Sequence, residues 1–300
     1  MKAPLLALTL VLAAGVADAD PAVVASGAYP EGLLWHQGRM YFTEMGADRV
    51  SIIADGSSRP FWELSGCGPT SIAPFGPSGF LVNCHLGKAV VEVSAAGVTG
   101  RTFRTANGVP IQDPNASIGD GQGGVFFSDS GVFDLSAAST GRVYHLSAMG
   151  VMTEVLGGIR YANGVNFDPA TRTLYVSEHL ARRVLALTLD GRNRVTARRV
   201  LINFADVPAA KDYSYPLAGP DGIALRPGLL AVAEYGEGRV HLFDREGKHL
   251  NTLKVSMPFV DTVHWDGTGN LFAGGAFQNT RLPYEGAVVR FAPADWERPH

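Results

Sequence analysis

The sequence repeats one unit at intervals of roughly forty to fifty-five residues. Each copy has a turn rich in Gly, Pro or Asn, then an apolar strand, a Gly-containing turn and further short strands. The copies begin at Glu31, Thr70, Asn115, Asn163, Asp221 and Asp261. A blade of about four strands cannot bury both faces of its sheet alone, so the copies must pack face to face around a channel. The repeat therefore predicts an all-β fold, a six-bladed β-propeller, with seven blades or a β-sandwich as the alternatives.

The start of the chain has the pattern of a secretory signal peptide. Lys2 precedes an apolar run at 3–16, and Ala17-Asp18-Ala19 supplies the small residues of a cleavage site. We therefore predict a signal peptide over 1–19 and one propeller domain over 20–300, located in the periplasm or secreted. The apolar run is too short to span a bilayer. An uncleaved anchor is the alternative.

The composition gives no sign of a nucleic-acid or membrane partner. The 36 Gly and 18 Pro suit a fold with many turns, and the formal net charge is −3. Such a chain lacks the basic surface that attracts nucleic acids and anionic membranes. We expect a monomer without nucleic-acid contact, and without membrane contact once the signal peptide is cleaved.

The sequence has two cysteines, Cys67 and Cys84. In a propeller blade the second strand returns beside the start of the first, which places Cys67, just before a first strand, near Cys84 at the end of a second strand. Exported proteins keep such pairs oxidised, so we predict a disulfide, with two buried thiols as the alternative. Their spacing, without a nearby histidine pair, argues against zinc.

Oxygen-bearing side chains recur at the start of the first strand. Four copies carry them, as Glu31, Asn115, Asn163 and Asp221, while the copies around Thr70 and Asp261 break the pattern. First strands line the channel, so these side chains converge there, and the two carboxylates repel each other unless a cation compensates them. An all-oxygen set suits Ca²⁺; Mg²⁺ and Mn²⁺ are alternatives, and Zn²⁺ is less expected. For each residue alone, ordinary turn formation is the alternative.

A second group of polar side chains stands at the ends of the second strands, on the same face of the propeller. These rim residues are Glu44, His85, Ser128, Asp129, Glu178, His179, Glu234 and Tyr235. We predict that four of them contact substrate together with Asn115, namely His85, Asp129, Glu178 and His179. The two histidines are also candidates to carry protons near neutral pH, with solvated loop residues as the alternative.

Four motifs surround the channel positions: Glu31-Gly-Leu-Leu-Trp35, Pro114-Asn115, Ala162-Asn163-Gly164-Val165 and Gly219-Pro220-Asp221-Gly222. They make the chain similar to the SMP-30/gluconolactonase/LRE-like family of six-bladed propellers, over nearly its whole length after residue 19. The resemblance implies that Glu31, Asn163 and Asp221 bind a divalent metal. It also implies that Asn115 lies beside the metal and helps to hold substrate or water.

The residues around Asn115 depart from the pattern of the sugar lactonases in this family. Those members often have Arg shortly before this Asn and Asp directly after it, whereas this chain has Asp113 and Ala116. The departure weakens a sugar-specific interpretation and leaves the metal ligands unaffected.

The site and the resemblance together predict an enzyme, a metal-dependent hydrolase that opens a small-molecule lactone or related carboxylic ester. The metal would polarise the carbonyl and lower the pKa of a water. We predict that Asp221 is both a metal ligand and the base that accepts the water's proton, and that Glu31 is a ligand only. Two alternatives stay open. One is hydrolysis of phosphoesters such as organophosphates, and the other is a non-catalytic binding propeller whose cation only ties blades together.

Overall fold

The computed structural model describes residues 21–54, 57–208, 215–281 and 284–297. Their strands form six four-stranded antiparallel sheets arranged as blades, so the predicted six-bladed β-propeller is confirmed. The signal peptide predicted over 1–19 lies outside the described residues. Within the described ranges, no helix combines the length and apolar character needed to cross a membrane.

The chain order of the strands gives the order of the blades. Strand β1 spans Ala22–Ala28. The first blade consists of β2 (Pro30–His36), β3 (Arg39–Glu44), β4 (Arg49–Ala54) and β5 (Ser57–Glu63). The second consists of β6 (Pro69–Phe75), β7 (Gly79–Cys84), β8 (Ala89–Val93) and β9 (Thr99–Phe103). A short hairpin follows, made of β10 (Thr105–Ala106) and β11 (Val109–Pro110).

The remaining four blades follow the same order. The third consists of β12 (Pro114–Gly119), β13 (Val125–Asp129), β14 (Gly141–Leu146) and β15 (Met152–Ile159). The fourth consists of β16 (Ala162–Asp168), β17 (Thr173–Glu178), β18 (Arg183–Leu189) and β19 (Val195–Asn203). The fifth consists of β20 (Gly219–Arg226), β21 (Leu229–Tyr235), β22 (Arg239–Phe243) and β23 (His249–Lys254). The sixth contains β24 (Phe259–Trp265), β25 (Leu271–Ala276) and β26 (Glu285–Phe291), and the short helix α1 (Pro293–Trp296) follows it.

The first strand of the chain closes the ring. β1 pairs antiparallel with β26, with Val23 opposite Val289 and Ala28 opposite Glu285, and becomes the outermost strand of the sixth blade. The backbone hydrogen bonds of this ladder join the two ends of the propeller and cover the edge of β26. The repeat does not reveal this pairing, because β1 lies before the first of the aligned copies.

The hydrophobic core lies between the blades. Between the third and fourth blades, side chains of the facing sheets pack together, among them Phe126, Val165 and Val176, none more than 4% exposed. Strands such as β18 bury residues on both faces, because each blade has a neighbour on either side. Burial of one such side chain stabilises the fold by roughly 1.5–3 kcal/mol. The blade interfaces therefore hold the inner strands at fixed positions around the channel.

Cys67 and Cys84 are joined by a disulfide in the second blade. Cys84 ends β7 opposite Pro69, and Cys67 lies two residues before Pro69 in the chain. The bond therefore ties the start of the innermost strand of this blade to the end of the second strand. Both cysteines are buried.

Candidate functional site

Every innermost strand has a bulge close to its start, where it has one extra residue relative to the second strand. The register shifts lie between Pro30 and Leu33, Pro69 and Ser71, Pro114 and Ser117, Ala162 and Val165, Pro220 and Ile223, and Val260 and Thr262. A bulge changes the direction of the side chain that it carries. We call the residues at these bulges the channel ring: Glu31, Thr70, Asn115, Asn163, Asp221 and Asp261.

The channel ring borders a central cavity. All ring residues except Asn163 line this cavity, and Asn163 is hydrogen-bonded to Asp221. The structure thus brings the four predicted metal-site residues to one end of the channel. It corrects the interpretation that the copies around Thr70 and Asp261 break the pattern, because both residues occupy the bulge of their blade. Asp261 adds a third carboxylate.

The glycines after three ring residues are required by the close approach of neighbouring inner strands. A Cβ on Gly164 would lie 2.0 Å from the carbonyl oxygen of Asp221, and one on Gly222 would lie 2.7 Å from that of Asp261. At Gly32 the distance to a neighbouring carbonyl oxygen would be 2.5 Å. All three distances are much shorter than van der Waals contact. The Glu-Gly, Asn-Gly and Asp-Gly dipeptides therefore lie inside strands and let the ring converge, so they do not form turns here.

Gly164→Ala is expected to lower the free energy of unfolding by about 3 kcal/mol, because the added methyl group must displace the backbone of the neighbouring blade. Urea unfolding followed by tryptophan fluorescence measures the change. Gly191→Ala is the matched control, since a Cβ there meets nothing within 4 Å. Equal stability of the two variants would contradict the close approach of the strands.

His179 fixes the orientation of the Asn163 amide. The His179 Nε2–H donates to the Leu217 carbonyl oxygen at 2.8 Å, so the neutral ring presents its Nδ1 lone pair to the Asn163 amide nitrogen, 3.4 Å away. The same nitrogen donates to Asp221 Oδ2 at 2.7 Å. Both N–H bonds are then used on these two acceptors. The Asn163 carbonyl oxygen is left buried and has no partner among the described residues.

Three carboxylates stand on consecutive blades: Asp221 on the fifth, Asp261 on the sixth and Glu31 on the first. Burial raises the pKa of Glu31 to about 8. Burial and, secondly, the charge of Glu31 raise the pKa of Asp221 and of Asp261 well above their ordinary values. Of the ion pairs within the described ranges, only a 3.8 Å contact between His179 and Asp221 involves this group. That histidine is buried and its pKa is lowered to about 4, so it brings no positive charge at neutral pH.

The ring fits a hard divalent cation. Ca²⁺ binds carboxylate and carbonyl oxygens, and the ring offers both, including the free carbonyl oxygen of Asn163. In the described part of the chain, no group of three or more His, Cys, Asp or Glu side chains is placed to hold a metal by itself. A ligand set built on Glu31 and Asp221 therefore needs amide oxygens, for which Asn163 and Asn115 are the candidates. Zn²⁺, which prefers nitrogen and sulfur ligands, fits this chemistry less well.

The acids at the rim have structural partners in the folded protein. Three of them pair with arginines: Glu44 with Arg49, Glu178 with Arg183, and Glu234 with Arg182. Asp129 accepts hydrogen bonds from two backbone N–H groups of the loop before β12, at 2.6 and 3.1 Å. Neither Asp129 nor Glu178, both predicted substrate contacts, lines the central cavity. The Ser128 hydroxyl accepts a hydrogen bond from the N–H of Ala116 and supports the bulge of the third blade.

The rim histidines, His85 and His179, do not have the properties expected of groups that carry protons near neutral pH. His179 stays neutral at pH 7, because burial lowers its pKa to about 4, and its Nε2–H is committed to Leu217. It therefore acts on the site by orienting Asn163. Burial also lowers the pKa of His85, whose Nδ1 is buried without a partner in the described ranges. Neither histidine lines the central cavity.

Aromatic side chains cluster near the end of the channel at which the inner strands begin. The ring centroid of Phe133, on the loop after β13, lies 4.6 Å from that of Tyr161 and 6.3 Å from that of Tyr235. Tyr29 lies two residues before Glu31, and both Tyr29 and Tyr161 have left-handed backbones, with φ of 60° and 61°. Such strain in residues other than glycine concentrates at functional sites. We call Tyr29, Phe133, Tyr161 and Tyr235 the aromatic cap.

Sequence reasoning missed Asp261 as a ring residue and, of the aromatic cap, Tyr29, Phe133 and Tyr161; only Tyr235 was placed at the rim. Asp261 is followed by Thr262 and lacks the glycine that marks three other ring residues. One signal could have revealed it, because a Pro, Ala or Val directly precedes every ring residue, as Val260 precedes Asp261. Tyr29 and Tyr161 have a comparable signal, because each lies two residues before a ring residue. Phe133 has none, since it comes from the loop after β13.

The fold and the site define a six-bladed β-propeller with an oxygen-rich ring at one end of its channel. The sequence model of the SMP-30/Gluconolactonase/LRE-like region matches residues 29–273, and the chain belongs to this family. The resemblance carried by the four motifs is thereby confirmed.

Two curated relatives are named lactonase drp35. The protein of Staphylococcus saprophyticus is 30% identical over 159 residues, which are 51% of this chain and 44% of the relative. The protein of Staphylococcus aureus is 30% identical over 193 residues, which are 59% of this chain and 54% of the relative. The chain thus spans about half the length of the curated relatives it matches.

Solved structures share the fold at low sequence identity. A gluconolactonase from Xanthomonas campestris has a TM-score of 0.71 and 20% identity, with 88% of this chain and 87% of that chain covered. The calcium-binding protein regucalcin from Agrobacterium tumefaciens has a TM-score of 0.72 and 17% identity, with 90% and 92% covered. The propeller architecture is therefore common to this chain and to these proteins.

Proposed function

We propose that the chain is an exported hydrolase that opens lactones and depends on a divalent cation, with Ca²⁺ as the preferred ion. Glu31, Asn163 and Asp221 would hold the cation, and Asn115 would lie beside it. Family membership supports the lactone, and the names of the relatives, lactonase drp35 and gluconolactonase, agree with it. The name of regucalcin, a calcium-binding protein, agrees with the cation.

The carbonyl oxygen of the Asn163 side chain carries the proposal, because among the described residues it has no partner and the carboxylates beside it have no cationic counter-ion. A buried acceptor without a partner costs about 1–3 kcal/mol. Buried carboxylates cost more when their charges remain uncompensated. A divalent cation relieves both costs at once. The hydrogen bonds from Asn163 to Asp221 and to His179 hold the free oxygen in place before any ion binds.

A bound cation would polarise the lactone carbonyl as a Lewis acid. Asp221 would accept a proton from the attacking water, whose oxygen adds to the carbonyl carbon. The ring C–O bond then breaks, and the departing oxygen takes up the proton to give a hydroxy acid. His179 keeps Asn163 and, through it, Asp221 in a fixed arrangement.

The surroundings of the ring favour an apolar lactone over a sugar lactone. The aromatic cap gathers four aromatic side chains near the start of the inner strands, and such side chains pack well against an apolar ring or chain. Asp113 and Ala116 replace the residues that sugar-specific members often have on either side of the position of Asn115. We therefore expect apolar lactones to be hydrolysed faster than gluconolactone.

Export rests on the leader pattern at 1–19, which lies outside the described residues. The disulfide between Cys67 and Cys84 supports it, because such bonds persist in oxidising compartments and are rare in the cytosol.

The test is a hydrolysis assay with an aliphatic lactone, an aryl lactone, gluconolactone and a phosphotriester, before and after chelation. Ca²⁺, Mn²⁺, Mg²⁺ and Zn²⁺ are then added back separately. We expect lactone turnover that chelation abolishes and Ca²⁺ restores best. Bound metal without turnover of any substrate would instead indicate a binding propeller, and turnover of the phosphotriester alone would indicate a phosphoesterase.

A further inference from the structure

Asp261 occupies in the sixth blade the position that Asp221 occupies in the fifth and Glu31 in the first. It lies at the bulge of β24, is 4% exposed and lines the central cavity. It therefore belongs to the channel ring by backbone geometry and by side-chain position. The metal ligands implied by the family resemblance do not include it.

One oxygen of Asp261 is anchored and the other is free. The Tyr29 hydroxyl donates to Asp261 Oδ1 at 3.4 Å across the buried mouth of the channel. Oδ2 is buried and has no partner among the described residues. A buried carboxylate oxygen without a donor is costly, and a water in a polar cavity is a suitable donor. Tyr29 thus contacts one carboxylate oxygen and leaves the other acceptor available.

Direct ligation of the cation by all three carboxylates does not suit the arrangement. No group of three or more acidic, His or Cys side chains in the described ranges is placed to hold a metal by itself. Glu31 and Asp221 with amide oxygens make a sufficient set, and Asp261 stands between these two acids in blade order. At this position the charge of Asp261 still attracts the cation, and its free oxygen can accept a hydrogen bond from a water held at the site. Such outer partners typically change metal affinity or activity by 10–100-fold.

We propose that Asp261 holds the attacking water of the lactonase reaction and strengthens cation binding from outside the ligand set. This inference rests on the proposed function. The water donates one O–H to Asp261 Oδ2 and gives the other proton to Asp221 as its oxygen adds to the carbonyl carbon. Asp261 stays unchanged through the step.

The experiment is calorimetric titration of the chelated protein with Ca²⁺, for the wild type, Asp261→Asn and Asp266→Asn. Asp266 is the matched control, because it undergoes the same change of charge on a turn just beyond the opposite end of β24. We expect Ca²⁺ to bind Asp261→Asn roughly 10–100-fold more weakly than the wild type, and Asp266→Asn within about twofold of it. Wild-type affinity in Asp261→Asn would overturn the proposal.

A kinetic measurement at saturating Ca²⁺ separates water positioning from cation binding. We expect kcat of Asp261→Asn to fall by roughly 10–100-fold while KM changes by less than about threefold. An unchanged kcat would overturn the positioning of water. Asp261→Ser serves the same tests if the Asn variant does not fold.

The same measurements distinguish an incorrect role for Asp261 from an incorrect proposed function. Lactone turnover by the wild type together with wild-type Ca²⁺ affinity and kcat in Asp261→Asn would overturn only the role of Asp261. A wild type that binds no Ca²⁺ would overturn the cation centre as a whole. The titrations need no substrate, so they decide the contribution to cation binding even if the lactone is misassigned.

Discussion

Asp221→Asn is expected to lower kcat for lactone hydrolysis by about 10³-fold or more, because one carboxylate is proposed to bind the cation and accept the proton of the attacking water. The substitution keeps the size of the side chain. Its amide oxygen can still accept the hydrogen bond from Asn163, so the channel ring should remain folded. Steady-state kinetics at saturating Ca²⁺ measure the loss.

Glu31→Gln is the matched control for Asp221→Asn. Both variants remove one buried charge from the ring, but Glu31 is proposed to bind the cation only. We expect Glu31→Gln to require more Ca²⁺ and then to recover kcat to within about tenfold of the wild type. Equal recovery of both variants in excess Ca²⁺ would contradict the assignment of the base to Asp221.

Without a divalent cation, the protein is expected to lose about 3 kcal/mol of stability, or roughly 6 °C in Tm, as the pH rises from 6 to 9. The pKa of Glu31 is raised by burial from 4.5 to about 8 in the folded state. The folded protein thus holds a proton that the unfolded chain releases near pH 4.5. This stabilising contribution is fully present below that pH and is lost as the pH rises through 8. Thermal unfolding in a chelating buffer at several pH values measures it.

Saturating Ca²⁺ should remove this dependence, because the cation stabilises the ionised carboxylates and binds them better once their protons are gone. The gain in Tm on adding Ca²⁺ should therefore increase between pH 6 and pH 9. Glu31→Gln provides the comparison, since it lacks the titrating group and should lose less stability over the same interval. If the Tm of the wild type in chelating buffer depends on pH in the same way as the Tm of Glu31→Gln, then burial does not hold Glu31 protonated.

The two experiments examine different properties of the same ring. The kinetic experiment depends on the bound cation and a lactone substrate, whereas the unfolding experiment needs neither substrate nor turnover. If the unfolding experiment gives the expected result and the kinetic experiment does not, the channel ring is still a cation-binding site. The protein would then act on another substrate or only bind a ligand. Cation binding and catalysis can in this way be established separately.

Much of the site could be predicted because it follows the repeat. Glu31, Asn163 and Asp221 stand at the same place in their copies, and each is followed by a glycine. The structure gives that glycine a reason, because any side chain there would meet the carbonyl group of the next inner strand. Strand periodicity and this dipeptide are local properties, so they are visible in the sequence.

The roles of the rim residues were predicted less well. Glu178 and Asp129 stand at the expected ends of second strands, but an arginine and backbone N–H groups occupy their carboxylates. His179 is at the expected position too, and yet burial keeps it neutral, so it orients Asn163. The repeat places a residue on a face of the propeller. It does not determine which neighbour that residue meets.

The sequence by itself determined the number of blades, the four predicted channel positions and the neighbourhood of Cys67 and Cys84, because each depends on strand order within a blade. Only the tertiary structure decided that β1 completes the sixth blade, that Phe133 reaches the channel mouth, and that Asp261 joins the ring. The hydrogen bond from Tyr29 to Asp261 joins residues 232 positions apart. Such contacts arise when the ring closes and the packing of six blades fixes the distances across the channel, which no local pattern records.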